Sequence, residues 1–133
     1  MNILETDHWC LLLPPEWRAE HDDDLVRIAD RDGVGEIEVT TLCREEGVVT
    51  VAELEQLAQE ESPEVVAWSS VRLGAFSGQS GTFDEEDAHL REWYLSAGHI
   101  LLYITYVCDL ENAGMDDAAV DEILATLVAD DLN

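Results

Sequence analysis

The chain has 133 residues, 31 of them Asp or Glu against 6 Arg and no Lys, for a formal net charge of −25. A domain of this length buries roughly 68% of the surface its unfolded chain exposes, and a hydrophobic fraction of 47% supplies a core, so a folded domain is expected despite the charge. So negative a field repels DNA, RNA and anionic lipid, whose binding depends on cationic side chains, and nucleic-acid binding is not expected.

The acids fall in short clusters: Asp22-Asp23-Asp24, Glu45-Glu46, Glu60-Glu61, Asp84-Glu85-Glu86-Asp87, Asp116-Asp117 and Asp130-Asp131. Two readings compete, a global bias for solubility or a salty cytoplasm, and a surface made for a basic protein partner or for mimicry of a polyanion. The even scatter favours the first, since a dedicated patch would form one block. Cys10, Cys43 and Cys108 are odd in number, lie in or beside apolar runs and contain no C-x-x-C pair, which points to reduced thiols and a reducing compartment. The first residues show no basic, then apolar, leader pattern, and no run approaches the 18 apolar residues of a membrane span. A cytoplasmic location without membrane insertion is the expectation.

In chain order, His8–Leu13 predicts a first strand stopped by Pro14-Pro15, with Trp17 in the turn that follows. Leu25–Ala29 and Glu36–Leu42 predict a hairpin around Asp32-Gly33-Val34-Gly35, the second strand having one wet face. Thr50-Val51-Ala52-Glu53 matches a capping box, and Val51, Leu54, Leu57 and Ala58 recur at helical spacing up to Ser62-Pro63. Glu64–Leu73 reads as a strand, Gly74–Phe83 as a glycine-rich strand with bulges, and Asp84–Asp87 as a turn into a strand over His89–Ala97. The run His99–Cys108 is apolar on both faces, which predicts a central strand covered on both sides. A last helix is expected over Met115–Ala129, with Asp116 and Asp117 at the positive end of its dipole. The order β-β-β-α-β-β-β-β-α predicts a single α+β domain on one antiparallel sheet.

Catalytic signals are weak. Gly78-Gln79-Ser80-Gly81 is one residue short of a nucleophile elbow and no helix follows it; its glycines match no phosphate-binding loop. The four histidines (His8, His21, His89, His99) offer one weak divalent-cation set, Asp84, Asp87 and His89, although surface acids beside a surface histidine are the commoner explanation. Asp22-Asp23-Asp24 lacks the spacing and glycine of a calcium loop. Core packing explains most aromatics, but in Arg91-Glu92-Trp93-Tyr94-Leu95 adjacent bulky residues point to opposite faces, so Trp93 and Tyr94 are candidates for partner binding should one face stand uncovered. No cofactor is implied.

Taken together, an opening strand running into proline and tryptophan (Leu11-Leu12-Leu13-Pro14-Pro15-Glu16-Trp17), a hairpin before the helix Thr50–Glu61, the glycine-marked strand Leu73–Gly78, the aromatic strand Arg91–Leu95, a long apolar strand and a C-terminal helix resemble the PsbP-like superfamily, including its DcrB-like bacterial members. The resemblance spans nearly the whole chain. It implies a three-layer α/β/α sandwich around a largely antiparallel sheet, and a non-catalytic role of the kind its accessory subunits, small-GTPase binders and secretion chaperones play. The chain departs from exported members in having no lipobox around Cys10. The expected function is a non-catalytic cytosolic binding protein (adaptor, chaperone or immunity-type inhibitor) acting through a sheet face or the acidic surface; the alternative is a small metal-dependent hydrolase.

Overall fold

Alternating and doubly apolar runs separated by tight turns build a protein dominated by antiparallel strands. The computed structural model describes residues 2–129; the cluster Asp130-Asp131 lies outside them. The strands are β1 (Asn2–Glu5), β2 (Trp9–Leu13), β3 (Trp17–Asp22), β4 (Leu25–Asp30), β5 (Gly35–Cys43), β6 (Ser69–Leu73), β7 (Phe76–Glu85), β8 (Ala88–Ala97), β9 (Ile100–Asp109) and β10 (Val128–Ala129). Helix α1 (Val51–Glu61) lies between β5 and β6, and α2 (Asp117–Ala125) between β9 and β10. Seven strands form one sheet in the order β3-β4-β5-β9-β8-β7-β6, and a smaller sheet runs β1-β2-β10.

Four hairpins of the large sheet close through two-residue turns: Asp23-Asp24, Gly74-Ala75, Glu86-Asp87 and Gly98-His99. In each, the first turn residue has positive φ, 53° at Asp23, 65° at Gly74, 54° at Glu86 and 59° at Gly98. Positive φ at that position matches the turn's twist to the strands' own twist. At Gly74 a side chain is excluded twice over, because a Cβ there would stand 2.1 Å from the Leu127 carbonyl oxygen.

The path of the chain decides what covers the sheet. After β5 the chain crosses one face as α1, packing on β7 and β8, and begins β6 at the far edge. Hairpins then step back until β9 lands beside β5, in the middle of the sheet. The opposite, inner face receives the small sheet and α2. Leu4, Trp9, Leu11 and Leu13 from the small sheet, with Val120, Ile123 and Leu124 from α2, join one buried cluster with Ile28, Ile37, Trp93 and Ile104 of the large sheet. Trp9, fully buried, donates its indole N–H to Thr41 Oγ1 at 2.8 Å and so ties the two sheets together. Tyr106 donates its hydroxyl to Asp116 Oδ2 at 2.7 Å, fixing the start of α2. Gly35 makes room for that hydroxyl, since a Cβ would meet it at 2.2 Å.

Several expectations are corrected. The three-layer α/β/α sandwich is not what forms: one helix covers only part of the outer face, and a small sheet shares the inner face with α2. Five strands precede α1, because Asn2–Glu5 pairs with β2 and Trp17 opens a strand of its own. Residues 64–68 are no strand; they fold over the outer face, burying Val65 and leaving Val66 99% exposed. The pairing of β7 with β8 runs from Ser77↔Ser96 to Glu85↔Ala88 without a bulge. The last helix is shorter than predicted, ending at Ala125 so that Val128 and Ala129 can pair with β2. Asp116 does not cap α2 with its side chain, which Tyr106 occupies instead. The His99–Cys108 run is central as expected, but it is not covered on both sides: its inner side is buried throughout, while on the outer side Val107 is 39% exposed because α1 reaches only one end of the strand.

The capping box on α1 is present. Thr50 Oγ1 accepts the Glu53 amide at 3.2 Å, and Glu53 accepts the Thr50 amide at 3.4 Å. Arg44 grips the same carboxylate with both terminal guanidinium nitrogens and holds its pKa down at about 2.

Two stability predictions follow from turns and cap. Glu86→Gly should raise stability by about 0.5–1 kcal/mol, the relief of an L-residue at positive φ outweighing glycine's extra unfolded entropy, whereas Gly74→Ala should cost at least ~2 kcal/mol. Urea denaturation checks both, and equal effects at the two turns would contradict the geometry. For Glu53, a folded-state pKa below the ordinary 4.5 means its contribution is complete above that pH and lost as pH falls through about 2. The difference in urea midpoint between wild type and Glu53→Gln should therefore close between pH 4.5 and 2, and a gap unchanged over that window would show that the ion pair contributes nothing.

Candidate functional site

Strand alternation puts the side chains of the large sheet on two faces, and the residues singled out by sequence are divided between them. Trp93 lies on the inner face, 3% exposed, with the Arg91 guanidinium 4.7 Å from its ring centroid. Arg91 itself is taken by Asp117 and Asp121 of α2, at 3.4 Å and 2.6 Å. Tyr94 lies on the outer face but beneath α1, also 3% exposed, edge-on to Trp68 and 4.8 Å centroid to centroid from Tyr103. Neither aromatic is available at a surface, so partner contact through Trp93 and Tyr94 does not fit this fold.

Asp84 and His89 are direct cross-strand partners, and His89 Nδ1 lies 2.7 Å from Asp84 Oδ1. Asp87 is not with them. It sits in the β7–β8 turn, where its carbonyl accepts the Leu110 amide at 2.7 Å. Among the described residues, no three His, Cys, Asp or Glu side chains gather as a cation site needs. The Gly78–Gly81 stretch is interior to β7, and its glycines permit close packing: a Cβ on Gly78 would lie 1.8 Å from the Tyr94 carbonyl oxygen, and one on Gly81 would meet Val65 and Trp68. Asp22-Asp23-Asp24 forms the β3–β4 turn.

What sequence reading missed is a buried polar chain under α1. Ser62 at the end of the helix and Tyr94 share a 2.8 Å hydrogen bond, and Tyr103 donates to Glu92 Oε2 at 2.5 Å. Burial, and for Tyr103 the adjoining Glu92, push both phenols above their ordinary pKa. Glu92 is 4% exposed, and its second oxygen, Oε1, is buried with no hydrogen-bond partner. An acid amid tyrosines in a strand full of charge gives no sequence signal of burial; only the register Gly81↔Glu92↔Thr105, with Val65 and Trp68 over Gly81, encloses it.

Beyond α1 the outer face is open. Register sets Ala29, Glu36, Val107, Leu90 and Phe83 side by side across β4, β5, β9, β8 and β7. Leu90 and Phe83 are half-buried and Val107 is 39% exposed, an apolar strip at the protein's surface. Acids flank it. Arg27 is shared by Asp22, Glu36 and Glu38 at 3.8–3.9 Å, all four side chains at least 42% exposed, so the local cation is outnumbered. Exposed pairs of this length contribute little to stability. The strip is concave at one end, where Ala29, Val34, Ala88 and Val107 line a shallow hollow.

No helix among the described residues is long and apolar enough to cross a membrane. No protein-family model matches the chain, and no curated protein does. Among solved structures, the chain is similar to a crystal structure from Bacteroides thetaiotaomicron, with a TM-score of 0.66 and 17% identity over 93% of this chain and 46% of that one. It is also similar to LpqN, described as involved in cell envelope biogenesis of Mycobacterium tuberculosis, with a TM-score of 0.64 and 16% identity over 91% of this chain and 82% of that one. The chain thus spans less than half the length of the Bacteroides protein. At such identities the likeness is one of fold alone.

Proposed function

We propose that the chain is a non-catalytic binding protein of the cytoplasm, an adaptor, chaperone or immunity-type inhibitor, that receives a basic protein partner on the open half of its outer sheet face. The observation carrying this reading is the strip Val107–Leu90–Phe83, left at the surface of a chain with no shortage of polar residues and rimmed by Glu36, Glu38 and Asp109. Covering such half-exposed side chains gives about 1 kcal/mol each, and the acidic rim adds attraction at a distance and speeds encounter. A kinship with the PsbP-like superfamily rests on the order and pattern of elements, and its non-catalytic members agree with a binding role. The half-covered outer face is then this chain's own departure. LpqN's involvement in cell envelope biogenesis raises a partner at the envelope as the competing assignment, which fractionation of the native host decides. The metal-dependent hydrolase alternative has less support, since Asp84 and His89 bind each other and no third ligand joins them among the described residues.

Recovered from its native host at low salt, the protein should bring a basic partner that is released above about 0.5 M salt, where charge attraction is screened within a few ångströms. Leu90→Glu or Val107→Glu should reduce recovery roughly tenfold, a loss of ~1.4 kcal/mol, whereas Ile3→Glu on the small sheet, where Ile3 is 63% exposed, should not. Equal recovery by Leu90→Glu would remove the open face from consideration. The free protein should gain thermal stability as salt rises from about 10 to 150 mM, because screening relieves self-repulsion of the −25 net charge; a flat melting temperature would contradict this.

A further inference from the structure

Among the described residues, Glu92 has a carboxylate on the outer face that the fold itself leaves half unsatisfied. A carboxylate taken out of water is costly unless each oxygen finds a donor or a cation. Oε2 has the Tyr103 hydroxyl, and Oε1 has nothing within reach. Among the described residues, no cation reaches it. Arg91, the next residue along, points to the inner face and is held by Asp117 and Asp121, and Arg27 lies on β4, beyond β9 and β5, among three acids. The Tyr103 bond meanwhile fixes the orientation of the carboxylate itself, so its free oxygen is already aimed.

Beside it lies the apolar strip. Leu90 and Glu92 are on the same face of β8, two residues and so about 7 Å apart, with Val107 directly across from Leu90. That distance suits the stem of a long cationic side chain, which buries its methylenes on apolar surface while its charged end seeks an acid. Arginine suits a desolvated site better than lysine, being more weakly hydrated and presenting several donors in a plane. Resting on the binding role proposed above, we infer that the open face reads its partner through one arginine, its stem over Leu90 and Val107 and its guanidinium on Glu92 Oε1. Because Glu92 is 4% exposed, seating the guanidinium includes a shift of the overlying segment that carries Val65 and Trp68. The rim acids attract the arginine, and Glu92 selects it.

The test uses the full chain and N-acetyl-arginine N-methylamide as probe, followed by carbon-13 NMR of side-chain carboxylates and methyls. The Glu92 carboxylate and the Leu90 and Val107 methyls should shift together and saturate with a millimolar dissociation constant. Glu92→Gln, which keeps an acceptor for Tyr103, should weaken binding at least tenfold, Leu90→Ala at least threefold, Glu38→Gln less than threefold, and the lysine analogue should bind more weakly than arginine. Shifts that grow in proportion to concentration and spread evenly over surface acids would overturn the proposal, as would a Glu92→Gln variant that binds like wild type. Should that variant not fold, joint saturation of the Glu92 carboxylate with the Leu90 and Val107 methyls in the wild type, with the Glu92 shift saturating at least threefold more weakly in Leu90→Ala, decides the question. If Leu90→Glu strips the host complex while Glu92→Gln leaves it whole, the face stands and the arginine seat is overturned. If the probe seats on Glu92 while Leu90→Glu leaves every complex intact, the seat stands and the binding role falls.

Discussion

The burial of β9 is the constraint on which the rest depends. Ile100, Leu102, Ile104, Tyr106 and Cys108 alternate onto the inner face, each at most 5% exposed, and demand a complete second layer there. The small sheet and α2 supply it, and polar contacts hold that layer in register: the Trp9 indole on Thr41, the Tyr106 hydroxyl on Asp116, and Arg91 on Asp117 and Asp121. Asp116 is an acid placed at a helix start, favourable for the dipole, yet its side chain serves the sheet rather than the helix amides. A single hydrogen bond to a charged group is worth about 1.5–3 kcal/mol, a large share of what keeps a domain this size folded.

The outer face follows a different logic. The edge strands of the large sheet stand about 29 Å apart at the usual strand spacing, and a helix is about 10 Å wide, so one helix covers about a third of it. Connectivity decides which third: α1 must travel from β5 to the far edge, and it lies over β7 and β8 on the way. Leu101 and Tyr103 of β9 gain cover, while Val107 on the same strand face does not. The half left open combines a neutral strip with an acidic surround, and at the boundary between covered and open halves sits Glu92, anchored on one side only.

Much of this was legible in the sequence where local chemistry decides. The capping box Thr50–Glu53, the break at Ser62-Pro63, the hairpin at Gly33, and the doubly apolar run of β9 all appear where their residues place them. What was not legible depends on partners distant in the chain. Asn2–Glu5 carries little β character of its own and is a strand because β2 pairs with it. Residues 64–68 alternate like a strand, yet Gly81 offers a hollow into which Val65 and Trp68 pack, and that contact overrides the pattern. Trp93 and Tyr94 do project to opposite faces, but both faces of β8 are covered at that point, so the uncovered apolar residues, Leu90 and Val107, share one cross-strand row two rows along the outer face from Tyr94. Glu92 carries no mark of burial at all in the sequence.

The division of β9's outer side into a covered and an open half can be measured directly by thiol labelling. In a background with Cys10, Cys43 and Cys108 replaced, single cysteines would be placed at Leu101, Tyr103, Thr105 and Val107, and their reaction rates with a neutral maleimide compared in the purified protein. Cysteine at Val107 should react close to the rate of an unfolded control, and cysteine at Tyr103 at least a hundredfold more slowly. Protection at Val107 equal to that at Tyr103 would mean the face is already covered within the chain or by another copy of it, and the open surface would not exist.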